Sequence, residues 1–205
     1  RIEDAPVPEG EIQNYPQSYT CLLSFKEELS NRFTSGSGRK WLGRSVFPVS
    51  FTNVLHNLDR NGTITYKYSL AHRTSSYGTF TAYETSTKLG EISLVGIGKG
   101  SYIDAIIKQQ KVSLNASEIS SDNRSTLKFN YNNPGSGLSA TPFFDWYEIQ
   151  YPRSFVALEN ELGFFSDPKM KGVTEYTITG FSSTPIGLDV TNPLEPKYLN
   201  NYTTV

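Results

Sequence analysis

Phe143-Phe144-Asp145-Trp146-Tyr147-Glu148-Ile149-Gln150-Tyr151-Pro152-Arg153-Ser154 carries five aromatic side chains within its first nine residues, set among spaced acidic and polar ones. The stretch reads as one long β-strand. Side chains alternate faces along a strand, so Phe144, Trp146, Glu148 and Gln150 fall on one face and Phe143, Asp145, Tyr147, Ile149 and Tyr151 on the other, more apolar one. Aromatics on both faces near its start predict a central strand covered on both sides there. Pro152 has no N–H to donate and marks where pairing should stop.

Outward from this strand the same period recurs. In Thr63 to Leu70, Ile64, Tyr66, Tyr68 and Leu70 alternate with Thr63, Thr65, Lys67 and Ser69, the pattern of a strand buried on one face and wet on the other. Asp59-Arg60-Asn61-Gly62 supplies the turn before it, and Asn-Gly, which favours positive φ at both central positions, is a hairpin signal. Further strands are predicted over 19–25, 46–53, 79–85, 91–98, 111–114, 125–131, 162–166, 175–180 and 186–190. Helix is plausible only over Lys26 to Arg32 and Tyr102 to Lys108, and no βαβ alternation is present. Many short strands separated by turn signals describe an all-β, jelly-roll-like β-sandwich with few or no helices.

Composition agrees. Of 205 residues, 37% are hydrophobic and 19% charged, and 13 Tyr and 12 Phe stand against one Met, the profile of a folded β-protein. Pro6, Pro8 and Pro16 make residues 1–18 an extended leader, leaving 19–205 as the sandwich region. A subdivision near residue 140 stays open, since no convincing linker marks it. Arg1 stands where Met is expected, as in a piece or mature product of something longer.

Several function classes fall away. A net charge of −1 gives no field to attract phosphate backbones, and Arg39-Lys40 with Arg44 reads as a solvated loop, so no nucleic-acid partner is expected. No apolar run approaches the roughly 20 residues of a membrane-spanning helix, and the N-terminus is not a signal peptide. Cys21 is the single cysteine, so no internal disulfide can form.

A nucleophilic Cys/His pair would need Cys21 to meet His56 or His72, but Cys21 lies within an apolar strand rather than at a site that lowers a thiol pKa. Two distant histidines and one cysteine make no metal-ligand cluster. Asp145 with Glu148, or Glu159 with Glu161, imitates paired glycosidase carboxylates only by adjacency. Gly96-Ile97-Gly98-Lys99-Gly100 lacks the spacing of a phosphate loop and reads as a strand end or bulge. The Asn-X-Ser/Thr sequons at Asn61, Asn115, Asn123 and Asn201 are matched by chance in a chain this rich in these residues. Trp41, Trp146 and the tyrosines could stack on sugars, which makes a carbohydrate-binding module the alternative reading. Core filling is the commoner use of such rings. No catalytic residue, cofactor or metal ligand is assigned.

Four segments together resemble one family. Ser37-Gly38-Arg39-Lys40-Trp41-Leu42-Gly43-Arg44-Ser45-Val46-Phe47 is similar to the Ser-Gly-x-x-Trp-Tyr-Gly-Glu-x-Phe motif in the N-terminal region of PorU-like sortases of bacterial type IX secretion, which are gingipain-type cysteine peptidases. Phe143 to Arg153 resembles their Trp-Leu-Asp-Tyr-Ile-Glu-x-x-Tyr-x-Arg strand, through Asp145, Tyr147, Glu148, Ile149 and Arg153. Gly163-Phe164-Phe165 follows at the expected distance, and Leu188-Asp189-Val190-Thr191-Asn192-Pro193-Leu194-Glu195-Pro196 matches the Trp-Asp-Val-Thr-Asp-Pro-x-x-Pro element that precedes the peptidase domain. Arg44 departs from the family's Glu, and Leu188 from its Trp.

The family's catalytic His stands in a His-Gly pair, whereas here His56 precedes Asn57, His72 precedes Arg73 and Cys21 precedes Leu22. The resemblance therefore implies a non-catalytic accessory β-region of a bacterial cell-surface or secreted peptidase or sortase. It would scaffold or present an adjoining peptidase domain and meet outer-membrane secretion proteins, on the outer face of the outer membrane.

Overall fold

The computed structural model describes residues 2–27, 41–101, 103, 105–134 and 141–203. Among these, in chain order, lie β1 (Glu3–Asp4), β2 (Ile12–Asn14), β3 (Ser18–Lys26), β4 (Val49–Val54), β5 (Thr63–Arg73), β6 (Gly78–Glu84) and β7 (Thr87–Leu94). There follow β8 (Ile106–Asn115), a 3-10 turn (Ala116–Glu118), β9 (Arg124–Asn132), β10 (Thr141–Ser154), β11 (Val173–Thr174), β12 (Gly187–Asp189) and β13 (Lys197–Leu199). Two compact units result, Thr20–Arg153, and Arg1–Tyr19 with Ser154–Val205.

In the Thr20–Arg153 unit two four-stranded sheets run in the orders β3-β10-β5-β8 and β4-β9-β6-β7. Between β3 and β10 the chain changes sheet at every link except the β6–β7 hairpin. That interleaving is the strand order of a jelly roll, so the expected all-β sandwich is what forms. The buried core lies between the inner faces: Ile64, Tyr66, Tyr68 and Leu70 of β5 and Phe144, Tyr147 and Ile149 of β10 meet Phe80 and Ala82 of β6 and Leu127 and Phe129 of β9. The alternation in Thr63 to Leu70 thus does mark a one-sided strand.

β10 pairs antiparallel with β5 from Thr141↔Arg73 to Gln150↔Thr65, with a register shift between Phe144 and Trp146. This bulge corrects the facing expected from simple alternation. One extra residue at Asp145 exchanges the faces of everything before it. Phe144 therefore joins Tyr147, Ile149 and Tyr151 in the main core, while Phe143 turns to a small cluster with Leu42 and Ala71. The ladder to β5 ends at Gln150, but the strand continues past Pro152, whose carbonyl accepts from the Asp59 N–H at 2.9 Å.

Asn61-Gly62 is also corrected. The turn exists, with the Asn61 N–H donating to Asp59 Oδ1 at 3.0 Å, but it leads from one sheet to the other and closes no hairpin. Gly62 is needed for proximity instead, because a Cβ there would stand 2.6 Å from Pro152 Cγ. In this unit a hairpin forms instead at β6–β7, turned through Thr85 at φ 54°.

Other boundaries shift where a partner strand decides them. Residues Ile106 to Lys108, expected to be helical, belong to β8, because they pair with His72 to Leu70 of β5. Tyr102 and Asp104, like residues 28–32 of the other expected helix, lie outside the described residues. β4 begins at Val49 and β7 ends at Leu94. Gly96 then leaves the ladder because it lies against the Ser75 backbone, where a Cβ would meet the Ser75 carbonyl oxygen.

The unit of Arg1–Tyr19 and Ser154–Val205 is built from short pieces. β1, β13 and β12 form one sheet, and β2 pairs in parallel with β11. The strands expected over 162–166 and 175–180 do not form; an isolated bridge from Thr179 to Val156 takes their place, since no long strand lies beside them. Tyr19, Phe155, Phe164 and Tyr176 form an aromatic cluster with centroid separations of 4.9 to 5.5 Å. Leu158 and Glu161 exchange both backbone hydrogen bonds around Glu159 and Asn160, whose φ values of 54° and 65° suit a type I′ turn.

Candidate functional site

Two segments far apart in sequence meet at the β10 bulge. The Gly43 N–H donates to the Phe144 carbonyl at 2.8 Å and the Phe144 N–H donates to the Arg44 carbonyl at 3.0 Å. Gly43 is required by this approach, for a Cβ would lie 2.8 Å from Glu27 Cβ and 3.1 Å from the Phe144 carbonyl oxygen. Leu42 packs beside Phe143, and Asp145, 1% exposed, accepts the Ser69 hydroxyl at 2.8 Å. The Trp41 segment and the aromatic strand are thus one structural feature. Ser37 to Lys40 of that segment lie outside the described residues.

Arg44 is held by Glu27, which accepts from its Nε at 2.8 Å and from its backbone N–H at 3.0 Å, and the guanidinium lies 5.4 Å from the Phe51 ring centre. The Arg44 hydrogen bond holds the Glu27 carboxyl below its usual range, and Glu27 in turn raises Arg44. Glu27 is thus the partner that fixes the Arg44 side chain.

The sheets are tied through buried polar groups. Glu84 on β6 accepts from the Tyr66 hydroxyl at 2.8 Å, the Ser125 hydroxyl at 2.6 Å and the Thr126 N–H at 2.7 Å. Tyr66 belongs to the opposite sheet, and burial first, then the Glu84 charge, pushes its hydroxyl well above the ordinary tyrosine pKa. Tyr147 likewise donates to Asn53 Oδ1 at 2.7 Å across the sandwich, and burial raises its pKa. Sequence reasoning missed this network, because Glu84 at a strand end carries no local sign that it turns inward.

Neither histidine meets the cysteine. His72 is fully buried, with Nε2 at 2.8 Å from the Val95 carbonyl and Nδ1 at 3.0 Å from the Tyr131 hydroxyl. A carbonyl only accepts, so Nε2 carries the proton and Nδ1 accepts from Tyr131; burial lowers the ring's pKa. His56 is exposed in a turn, and Cys21 packs against the core. No hydrogen bond joins Cys21 to either ring among the described residues, and no cluster of three metal-ligating side chains occurs among them.

The carboxylate pairs separate as well. Asp145 turns to Ser69, while Glu148 lies 3.6 Å from Lys67. Glu159 and Glu161 stand at the central and closing positions of a surface turn. Trp146 is half-buried under Lys67, whose Nζ is 5.4 Å from the ring centre, and Trp41 is exposed. An open depression on β9 is lined by Phe47, Pro48, Lys128, Asn130, Tyr131 and Asn132, and the enclosed Oδ1 of Asn130 has no hydrogen-bond partner among the described residues.

The closing segment has a structural part too. Asp189 Oδ1 accepts the Thr191 N–H at 2.9 Å and Asn192 Oδ1 accepts the Leu194 N–H at 3.2 Å, so successive Asx turns carry β12 toward β13. The hydrogen bonds to Thr191 hold the Asp189 carboxyl below its usual range. No helix among the described residues is long and apolar enough to cross a membrane.

No protein-family model matches the chain, and no curated protein sequence matches it. Among solved structures it is similar to a crystal structure of dimeric latent PorU from Porphyromonas gingivalis, with a TM-score of 0.77 and 15% sequence identity. All of this chain is covered, but only 20% of that one. The likeness is one of fold, extending over the whole of a chain that spans a fifth of its neighbour's length.

Proposed function

We propose that this chain is a non-catalytic accessory β-region of a PorU-related, bacterial cell-surface cysteine peptidase or type IX secretion sortase. It scaffolds and presents an adjoining peptidase domain and meets outer-membrane secretion proteins on the outer face of the cell. The observation that carries the reading is the end-to-end overlay on one fifth of PorU, a far longer chain. The meeting of the Trp41 segment with the aromatic strand at Gly43 and Phe144 supports it, since the two motifs of the sequence resemblance prove to be one built feature. The chemistry of the described residues agrees: His72 spends both ring nitrogens on structural partners.

The test has two parts. The parent reading frame is expected to continue past Val205 into a domain with a His-Gly pair and a strand-borne cysteine; a parent lacking any such domain overturns the proposal. Cys21→Ala in that parent should leave peptidase activity per folded molecule unchanged, and its loss would show that the region is catalytic after all.

The depression on β9 favours a second reading, a carbohydrate-binding module. There the amides of Asn130 and Asn132 and the Lys128 ammonium border two aromatic rings, the mixture of polar tips and flat apolar faces that suits a sugar. Glycan-array binding abolished by Asn130→Ala would establish it, and an array without signal would remove it.

A further inference from the structure

On one face of β9 stands a run of polar side chains that the fold itself leaves unused. Leu127 and Phe129 enter the core, so Lys128, Asn130 and Asn132 turn the other way, to the depression they line with Phe47, Pro48 and Tyr131. None of the three makes a hydrogen bond or ion pair among the described residues. By contrast, Lys67 meets Glu148, Lys88 meets Glu91, and Lys108 donates to the Ser93 carbonyl at 3.0 Å.

The charge of Lys128 is uncompensated on this face. Level with it stand Ser50 on β4 and Tyr83 on β6, while Thr81 and Thr79 stand level with Asn130 and Asn132. The one carboxylate within β4, β6 and β9 is Glu84, which is buried and spent on Tyr66, Ser125 and Thr126. Glu91 on β7 is held by Lys88. A half-buried ammonium with no free acid beside it is complementary to an anion.

The rest of the lining suits a sugar. Nothing in the fold fixes which end of the Asn130 amide faces the depression, because its enclosed Oδ1 has no partner among the described residues, so it can offer a hydroxyl either a donor or an acceptor. Phe47 and Tyr131, half-buried with ring centres 6.4 Å apart, supply apolar surface. The depression offers about 460 Å³, within the range of small-ligand sites.

We infer that the depression binds an acidic sugar, a pyranose whose carboxylate meets the Lys128 ammonium and whose hydroxyls meet the Asn130 and Asn132 amides. This rests on the second reading proposed above, the sugar site, and names the class of sugar. Alternate residues of a strand stand roughly 6.6 Å apart, which sets the charge about one ring's width from the first amide. A single ammonium without a guanidinium matches the single charge of a carboxylate. A phosphate, with a charge of about −1.5 to −2 and three acceptor oxygens, calls for more donors.

An array of uronate-bearing, phosphorylated and neutral glycans, probed with the 205-residue chain, tests this. Uronate glycans are expected to give the strongest signal, to lose it at high salt, and to bind Lys128→Gln about tenfold more weakly or worse. Lys128→Arg, which keeps the charge, should recover the signal, and both variants should melt with the wild type. Neutral glycans that bind as tightly as uronates, or undiminished uronate binding by Lys128→Gln, overturn this inference and leave the sugar site standing. Tighter binding of phosphorylated glycans likewise overturns the carboxylate. An array without any signal overturns both.

Discussion

The two units of this chain solve the problem of order differently. The Thr20–Arg153 unit closes two four-stranded sheets over a continuous core, and its aromatic rings interlock: Phe51, Phe144, Tyr147 and Phe25 lie 4.7 to 6.1 Å apart. The Arg1–Tyr19 and Ser154–Val205 unit has strands of two or three residues, one small aromatic cluster, and side chains such as Phe165 and Leu194 almost wholly in solvent. In the first, burial holds the structure. In the second, long-range pairing of N-terminal with C-terminal pieces and side-chain-capped turns do, as in the Asn14 amide's 2.7 Å bond to the Lys171 carbonyl. Burial strength thus follows strand length: only a long strand offers enough alternate positions to build an apolar face.

If that contrast is right, the largest loss should come from the sandwich core. Phe144→Ala should cost about 3–5 kcal/mol in urea unfolding, since it removes a fully buried ring from the centre of the cluster. Phe164→Ala in the small unit should cost clearly less, and equal losses would break the comparison. Glu84→Ala comes next, at about 1–3 kcal/mol, because it strands the Tyr66 and Ser125 hydroxyls and the Thr126 N–H in a dry interior. Chemical denaturation of the variant that showed no loss would mean the inter-sheet tie is dispensable.

Gly43→Ala should cost a similar or smaller amount, about 1–3 kcal/mol, by forcing the Trp41 segment away from Phe144. The reading would be sharpened by hydrogen exchange at the Phe144 amide, which should accelerate in that variant. His72 provides a pH test. Its folded pKa lies below the unfolded value of about 6.5, so the unfolded chain binds the proton first. Stability from this group is complete above that value and is lost as pH falls toward the lowered folded one. Melting temperatures between pH 7 and 5 should therefore drop more steeply for the wild type than for His72→Gln. The smallest effect belongs to the surface. A Lys67/Glu148 double-mutant cycle should yield no more than about 1 kcal/mol, as their 3.6 Å pair is partly exposed.

Particular residues show how far the sequence reaches. The alternation of Ile64, Tyr66, Tyr68 and Leu70 announced a half-buried strand, and those four side chains are the inner face of β5. Phe143 to Tyr151 announced a covered central strand, and β10 lies between β3 and β5. Periodicity is local, written in the order of neighbouring residues, and it survives whatever the strand is packed against.

What the sequence by itself determined is therefore the material: strands, their wet and dry sides, and an all-β class. Tertiary structure alone decided the bulge at Asp145 that sends Phe144 inward, the use of Asn61-Gly62 as a crossing between sheets, and the capture of Ile106 to Lys108 by β5. It also decided that Gly43 and Phe144, a hundred and one residues apart (144 − 43), should hydrogen-bond. Each of these depends on which distant strand lies alongside, and partner choice is settled by the packing of the whole sandwich, which no window of neighbouring residues contains.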